Sequence, residues 1–114
     1  MEFESNGYYH VEMFIALSGK HPELLEEREM ENRYLELIER PTNFIFTRDM
    51  GGKWDLFTIG AYRDLTHYAE SALIAEDKEN EAAIKAGFES AGTIGSYLRS
   101  LILEHHDTLA VKVN

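Results

Sequence analysis

His10 and Glu12 form the pair in this sequence best suited to acid–base chemistry. They are two positions apart in a predicted strand, so both side chains leave the same face and the carboxylate can orient the imidazole. In a cavity, such a pair can act as a general base. The residues leave a second interpretation open, in which the two side chains form a satisfied polar pair at a dimer interface.

Other polar groups carry weaker signals. His67 and Glu70 are three apart on one helical face, which is half of a metal-binding motif in reverse order and binds no metal firmly by itself. We place His105, His106 and Asp107 at a helix-to-strand junction, where neighbouring side chains point in different directions. Three of the scarce arginines are Arg48, Arg63 and Arg99. Each could anchor a carboxylate or enolate ligand bidentately, or could pair with one of the many glutamates. We predict no metal site and no cofactor.

Composition restricts the class of protein. The 114 residues, 44% of them hydrophobic, fit a single domain spanning 1–114, with residues 1–7 expected to form a loose N-terminal tail. Asp and Glu number 21 against 11 Lys and Arg, and a net charge of −10 argues against nucleic-acid binding. The absence of cysteine excludes disulfides and thiolate metal sites. Neither a secretion signal nor an apolar run of about 18 residues is present, so we expect a cytoplasmic protein without a membrane partner.

The first half of the chain predicts three strands and one helix. A period of two from Tyr8 to Leu17 indicates a strand whose odd positions form one fully buried face. A helix from Pro22 to Glu39 follows, with its glutamates enriched near the N-terminus. The runs Thr42–Arg48 and Trp54–Tyr62 flank a glycine turn, which is typical of a hairpin.

The second half predicts helices and a closing strand. Asp64 or Thr66 can cap a helix that extends to Leu73, and residues 76–80 form a polar joint before a helical segment, Ala82–Phe88. Thr93 can cap a last helix whose apolar stripe reaches Ile102. Alternation from Asp107 to Val113 predicts the final strand.

This order of elements predicts an α+β fold, the ferredoxin-like β-α-β-β-α-β plait with an enlarged helical second crossover. Period two prevents the large apolar residues of the strands from all facing the helices: Phe14, Phe44, Phe46, Trp54, Leu56 and Tyr62. Because monomers rarely leave such a face uncovered, we predict a homodimer paired through the helix-free face into a dimeric α/β barrel. Trp54 should be largely buried near that interface. His10 and Glu12 should face the inter-sheet or barrel interior, bonded to each other, to a ligand or to a residue such as Arg48.

The segment Gly52–Asp64 joins a Gly-x-x-Asp motif to an alternating strand and an acidic residue that opens the next helix. Together with 8–11 and 106–110, it resembles the dimeric α/β-barrel superfamily, which includes NIPSNAP-like proteins, antibiotic-biosynthesis monooxygenases, EthD-like proteins and haem-degrading monooxygenases. The resemblance covers about Tyr8 to Val113 at the level of fold. It implies a ligand cavity between the sheet and its helices or in the barrel. Cofactor-independent oxygenases, isomerases and haem enzymes all occur in the superfamily.

These observations favour a small dimeric protein that binds a small aromatic or apolar molecule and acts as a cofactor-independent monooxygenase or isomerase. His10 is the expected base with Glu12, and the expected ligand-binding residues are Tyr8, Trp54, Thr58, Tyr62, His67 and Arg48. A non-enzymatic dimerisation or ligand-binding module is the alternative. Haem binding is less favoured, because Asn6, Trp54 and His67 depart from the haem-degrading pattern in spacing and order.

Overall fold

The computed structural model of the chain describes residues 7–113, which form one four-stranded antiparallel sheet with helices on one face. The strands and α-helices are β1 Tyr8–Ala16, α1 His21–Leu37, β2 Asn43–Thr47, β3 Leu56–Tyr62, α2 Leu65–Ala69, α3 Glu76–Lys85, α4 Ile94–Arg99 and β4 Ile102–Val111. Short 3-10 helices at Glu70–Leu73 and Ala91–Thr93 follow α2 and precede α4.

The strand order is β2-β3-β1-β4. This is the ferredoxin-like arrangement, and the connection from β3 to β4 holds three α-helices, so the predicted α+β fold with an enlarged second crossover is confirmed. The hairpin between β2 and β3 is also confirmed. Its Gly51 and Gly52 have φ values of 76° and 71°, a region that glycine enters without the steric cost of a Cβ.

The two faces of β1 have different neighbours. Phe14, on the even-numbered face, is fully buried against Leu24 of α1, Leu56 of β3 and Leu101. The odd-numbered residues, predicted to be fully buried, are half-buried and lie on the helix-free face: Tyr9, Val11, Met13 and Ile15. Alternation reveals that a strand has two faces but not which one the helices cover, so full burial of the odd-numbered face stays a prediction that depends on a partner subunit.

The helix-free face is apolar across three strands. Register places Val11 beside Ile59 and Met13 beside Phe57, and it places Phe44 and Phe46 of β2 beside the same two residues of β3. Phe46 and Phe57 stack with ring centroids 4.9 Å apart. The aromatic residues of the strands therefore divide between two faces, as period two requires.

A second core lies within the helix layer, formed by Met30, Tyr34, Ile38, Ala82, Ala83, Ala86 and Phe88. Its alanines allow α3 to approach α1 closely. The segment predicted as a polar joint is the first half of α3, since Glu76, Asp77 and Glu79 occupy a first helical turn, where negative charge is favoured.

The end of the last helix was predicted incorrectly. Helix α4 ends at Arg99, and β4 begins at Ile102 because that residue pairs with Ala16 of β1. His105, His106 and Asp107 therefore lie inside a strand rather than at a junction. Gly7 bonds through its backbone to Tyr62 and Lys112, so it belongs to the sheet, whereas the rest of the predicted tail, 1–6, lies outside the described residues. Among residues 7–113, no helix is both long and apolar enough to cross a bilayer.

Candidate functional site

Three polar side chains meet on the helix-facing side of β1 and β4. His10 Nδ1 lies 4.0 Å from Glu12 Oε1, and His10 Nε2 lies 3.7 Å from Asp107 Oδ1. The register explains the contact, because Glu12 is directly opposite Asp107 of β4 and Thr58 of β3. The side chains of His10 and Glu12 are 18% and 15% exposed. They are withdrawn from bulk water but face α1 rather than the inter-sheet or barrel interior that the sequence predicted, since they share the face of Phe14.

Arg28 of α1 is the cation of this cluster. It is buried, and it donates from Nε to Glu27 Oε1 at 2.7 Å and from Nη2 to Glu27 Oε2 at 3.2 Å. Its Nη1 lies 3.4 Å from Glu12 Oε1, and Nη2 also bonds to Glu31. The guanidinium lies over the Phe14 ring, 5.1 Å from its centroid. Arg28 thus occupies the partner role that the sequence assigned to Arg48, and the predicted contact with Arg48 was wrong.

Burial controls the ionisation of the pair. It raises the pKa of Glu12 to about 7, an effect that Arg28 opposes and that Glu31 and Asp107 reinforce. Burial is also the largest cause of the lowered pKa of His10, although the charge of Asp107 acts in the opposite direction. Near neutral pH the imidazole is therefore neutral, while the Glu12 carboxyl is divided between its two protonation states. A group poised in this way can both accept and return a proton.

A group of three tyrosine rings begins beside His10. Tyr68 of α2 lies edge-on to His10 with ring centroids 5.4 Å apart, and it also contacts Tyr62 at 5.2 Å and Tyr8 at 6.3 Å. Burial raises the pKa of both Tyr62 and Tyr68, so their hydroxyls remain protonated. Tyr68 therefore contacts the site directly, and the predicted Tyr8 and Tyr62 are connected to His10 through the Tyr68 ring.

Thr58 and His67 lie beside the cluster in different ways. Thr58 is 1% exposed, and its hydroxyl has no hydrogen-bond partner among residues 7–113. The His67 ring packs against Tyr62, with centroids 5.5 Å apart, and its Nδ1 accepts a hydrogen bond from the backbone N–H of Arg63 at 3.1 Å. Burial is the largest cause of its lowered pKa. His67 is therefore connected to the tyrosine group through its contact with Tyr62.

Trp54 and Arg48 are not brought to this cluster. Leu56 pairs with Phe14 and Tyr62 pairs with Tyr8, so the N-terminal end of β3 lies away from the tyrosines. Trp54, which precedes β3, contacts the His106 ring at 5.2 Å, and the exposed Arg48 bonds to Asp55 at 3.1 Å. Trp54 and His67 also flank opposite ends of β3, so the loosely haem-like set does not converge, and Asn6 lies outside the described residues.

Sequence reasoning missed Arg28, Tyr68 and Asp107 as members of the site. Arg28 had one usable signal, because it is the only cation in the acidic run from Glu23 to Glu31. Asp107 was singled out only as a neighbour of His105 and His106, and Tyr68 gave no comparable signal, since both positions depend on how α2 and β4 dock onto β1.

His10, Glu12 and Asp107 are also the residues that could hold a cation, since each offers one donor atom and these atoms lie within 4.8 Å of one another. The guanidinium of Arg28 already supplies positive charge at Glu12. Three pockets in the described part of the chain are lined by residues other than His10 and Glu12. The cluster instead reaches solvent through Asp107, whose side chain is 51% exposed at the edge strand.

Several solved structures share this fold. A NIPSNAP domain protein from Burkholderia xenovorans superposes with a TM-score of 0.60 at 16% identity, covering 93% of this chain and 94% of its own. A dimeric protein of unknown function with a ferredoxin-like fold, from Bacteroides fragilis, gives 0.60 at 10% identity, covering 93% and 96%. A mutant of SnoaB, a cofactor-independent oxygenase from Streptomyces nogalater, gives 0.59 at 11% identity, covering 96% and 95%.

These matches confirm the fold-level resemblance to NIPSNAP-like and monooxygenase-like proteins of the dimeric ferredoxin-like type. Identities of this size carry the fold alone. No family model matches the sequence, and no curated protein is similar to it.

Proposed function

We propose that this protein binds a small aromatic or apolar molecule beside His10 and Glu12 and uses the pair for proton transfer without a cofactor. The carrying observation is a carboxyl poised near neutral pH beside a neutral imidazole, whose ring packs against Tyr68 at the end of a group of three tyrosines. Tyrosine rings offer apolar contact area, and their protonated hydroxyls can orient a polar substituent of the ligand.

The chemistry follows from the charges. Glu12, or His10 acting with Asp107, removes a proton from an acidic carbon or phenol of the substrate. The positive charge of Arg28, 3.4 Å from Glu12, favours the carboxylate form that accepts this proton. Return of the proton to another carbon completes an isomerisation. If dioxygen is the second substrate, the carbanion of a CH2 group adds to it and takes up the abstracted proton to form a hydroperoxide. Loss of water then leaves a carbonyl, which is the oxygenase version of the same site.

Native mass spectrometry for co-purified small molecules tests the proposal. His10→Ala should abolish retention of the ligand while the assembly survives, and His21→Ala, at the start of α1, is the matched histidine control. If His10→Ala lowers stability and leaves ligand retention unchanged, His10 is structural and the proposed site is wrong.

A second function is a non-enzymatic module whose helix-free sheet face exists to form the dimer. Two observations favour it: the apolar residues on that face, and the mutual satisfaction of Arg28 and its glutamates. Finding no retained molecule in the native protein, together with a stable dimer, would support the module.

We also propose that the protein is a homodimer paired through the helix-free face. The proposal is supported by similar structures that are described as dimeric. A stable interface of this kind should bury about 1,200 Å² or more in total. Trp54 contacts His106, which lies on that face, so Trp54 emission should be blue-shifted in the assembled protein.

A further inference from the structure

A cavity in the helix layer lies apart from the site described above. Its volume is about 490 Å³, within the range of small-molecule sites. It is lined by Glu26 and Met30 of α1, by Gly87, Phe88 and Glu89 after α3, and by Thr93, Ser96 and Tyr97 at the start of α4. The proton-transfer proposal makes no use of any of these residues.

The apolar part of the cavity is aromatic. Met30 and Phe88 are buried members of the helix-layer core, and the Phe88 and Tyr97 rings meet edge to face with centroids 6.4 Å apart. The electron-rich faces of aromatic rings attract organic cations, and the attraction increases when the cation is desolvated.

The polar side chains that line the cavity are mainly acceptors. Glu26 and Glu89 provide carboxylates. The Thr93 hydroxyl donates its hydrogen to the carbonyl of Ser90 at 2.9 Å, and the Ser96 hydroxyl donates to the carbonyl of Thr93 at 3.1 Å. The Thr93 Oγ1 also accepts from the backbone N–H of Ser90 at 3.1 Å, so this hydroxyl is satisfied within the chain. The Ser96 hydroxyl, in contrast, presents lone pairs to a ligand. Among the described residues that line the cavity there is no lysine, arginine or histidine.

We propose that this cavity binds an organic cation, an amine or quaternary ammonium that carries an apolar or aromatic group. The charged nitrogen lies between the carboxylates of Glu26 and Glu89, and the apolar group packs on Phe88 and Tyr97. The net charge of −10 raises the local concentration of such a cation near the protein.

Isothermal titration with three benzyl compounds of different charge tests the proposal: benzyltrimethylammonium, benzyl alcohol and phenylacetate. Only the cation should bind, and its amide chemical-shift changes should map to α1, 87–89 and α4. Binding of phenylacetate or benzyl alcohol as tight as that of the cation would overturn the proposal, as would shifts confined to the sheet or no detectable binding of the cation.

Carboxylate removal provides the second test. The double variant Glu26→Gln with Glu89→Gln should weaken binding of benzyltrimethylammonium by about tenfold or more, whereas the control Glu29→Gln with Glu36→Gln should change it by less than about twofold. The control removes the same two charges from exposed positions of α1, so it accounts for the change in overall charge. Equal affinities of the two double variants would overturn the proposal. Tyr97→Leu should also weaken binding of benzyltrimethylammonium, because it keeps an apolar side chain but removes an aromatic face.

Discussion

At the scale of single residues, Arg28 is the cation that pairs with three glutamates of the site and of α1. Its guanidinium bonds to Glu12, Glu27 and Glu31, and Glu27 is itself fully buried. Burying these charges is costly, and the cost is offset only while the cation and the carboxylates remain paired. One side chain therefore links the stability of α1 to the ionisation of the candidate site.

Arg28→Ala should lower the free energy of unfolding by about 3–5 kcal/mol, because Glu12 and Glu27 would be left buried without their cation. Urea denaturation at neutral pH measures this change. Arg33→Ala removes an exposed arginine from the same helix and should cost less than about 0.5 kcal/mol. Similar losses in the two variants would show that the buried network contributes little.

Glu12 predicts a pH dependence of stability. Its pKa in the folded protein, about 7, is raised above the ordinary 4.5, so the folded state holds the proton more tightly than the unfolded chain. The resulting stabilisation is complete below about pH 4.5 and is lost as the pH rises through 7. Titration of Glu12 should therefore lower the free energy of unfolding of the wild type by on the order of 2 kcal/mol between pH 5 and 8, and Glu12→Gln should lack this decrease.

Unfolding free energies of the wild type and Glu12→Gln, compared at several pH values, isolate this contribution from those of Glu27 and His10. The exposed Glu29→Gln should follow the wild-type curve. Parallel curves for the wild type and Glu12→Gln would mean that the Glu12 carboxyl titrates normally.

The residue pair His10 and Glu12 could be predicted from sequence because spacing within one strand fixes a shared face. The partners could not. Arg28, which reaches Glu12 from α1, is 16 positions away from it in sequence, and Tyr68 reaches His10 from the second crossover. Such contacts depend on how elements dock, and no local pattern contains that information.

At the scale of elements, hydrogen bonds between Asn32 and Asn43 join α1 to β2. The neighbouring position on β3 is Gly60, where a side chain would collide with Asn43. The Asn32 side chain donates to the carbonyl of Asn43 at 2.9 Å, and its oxygen accepts from the N–H of Asn43 at 2.8 Å. Gly60 lies opposite Asn43, and a Cβ there would be 2.7 Å from Asn43 Oδ1 and 3.1 Å from the Tyr62 ring. The glycine leaves room for both neighbours.

Gly60→Ala should destabilise the protein by about 1–3 kcal/mol, because the added methyl forces Asn43 or Tyr62 to move. Thermal unfolding followed by circular dichroism measures the loss. Gly92→Ala is the control, since a Cβ there would lie 3.9 Å from Ser90 Oγ, an ordinary van der Waals distance. An unchanged midpoint for Gly60→Ala would show that Asn43 can rotate away without cost.

Element boundaries show where periodicity fails. Leu98, Leu101 and Ile102 fit a helical stripe, yet the helix ends at Arg99 because Leu101 fills the core beside Phe14 and Ile102 enters the sheet. The β2–β3 hairpin was predictable, in contrast, because its glycines encode the turn locally.

At the scale of the whole molecule, the proposed dimer forms through the helix-free face. Met13→Glu introduces a charge on β1, one of the two inner strands of that face, and should convert a dimer into a monomer, as measured by sedimentation equilibrium. Leu73→Glu is the control, because Leu73 is 83% exposed within the helical crossover and lies away from the sheet. A dimer that persists in Met13→Glu, or a wild type that is monomeric at micromolar concentration, would contradict pairing through this face.

The strand order also has a consequence for synthesis on the ribosome. Strand β1 pairs with β3, but its other neighbour is β4, which is made much later. At about 5–20 residues per second, β1 waits on the order of 5–20 s for β4 to be synthesised. During that interval one backbone edge of β1 can pair with a strand of another nascent chain. Neighbouring ribosomes on one messenger RNA would then favour strand-swapped dimers. Slower translation of residues 70–100 would increase the yield of such dimers.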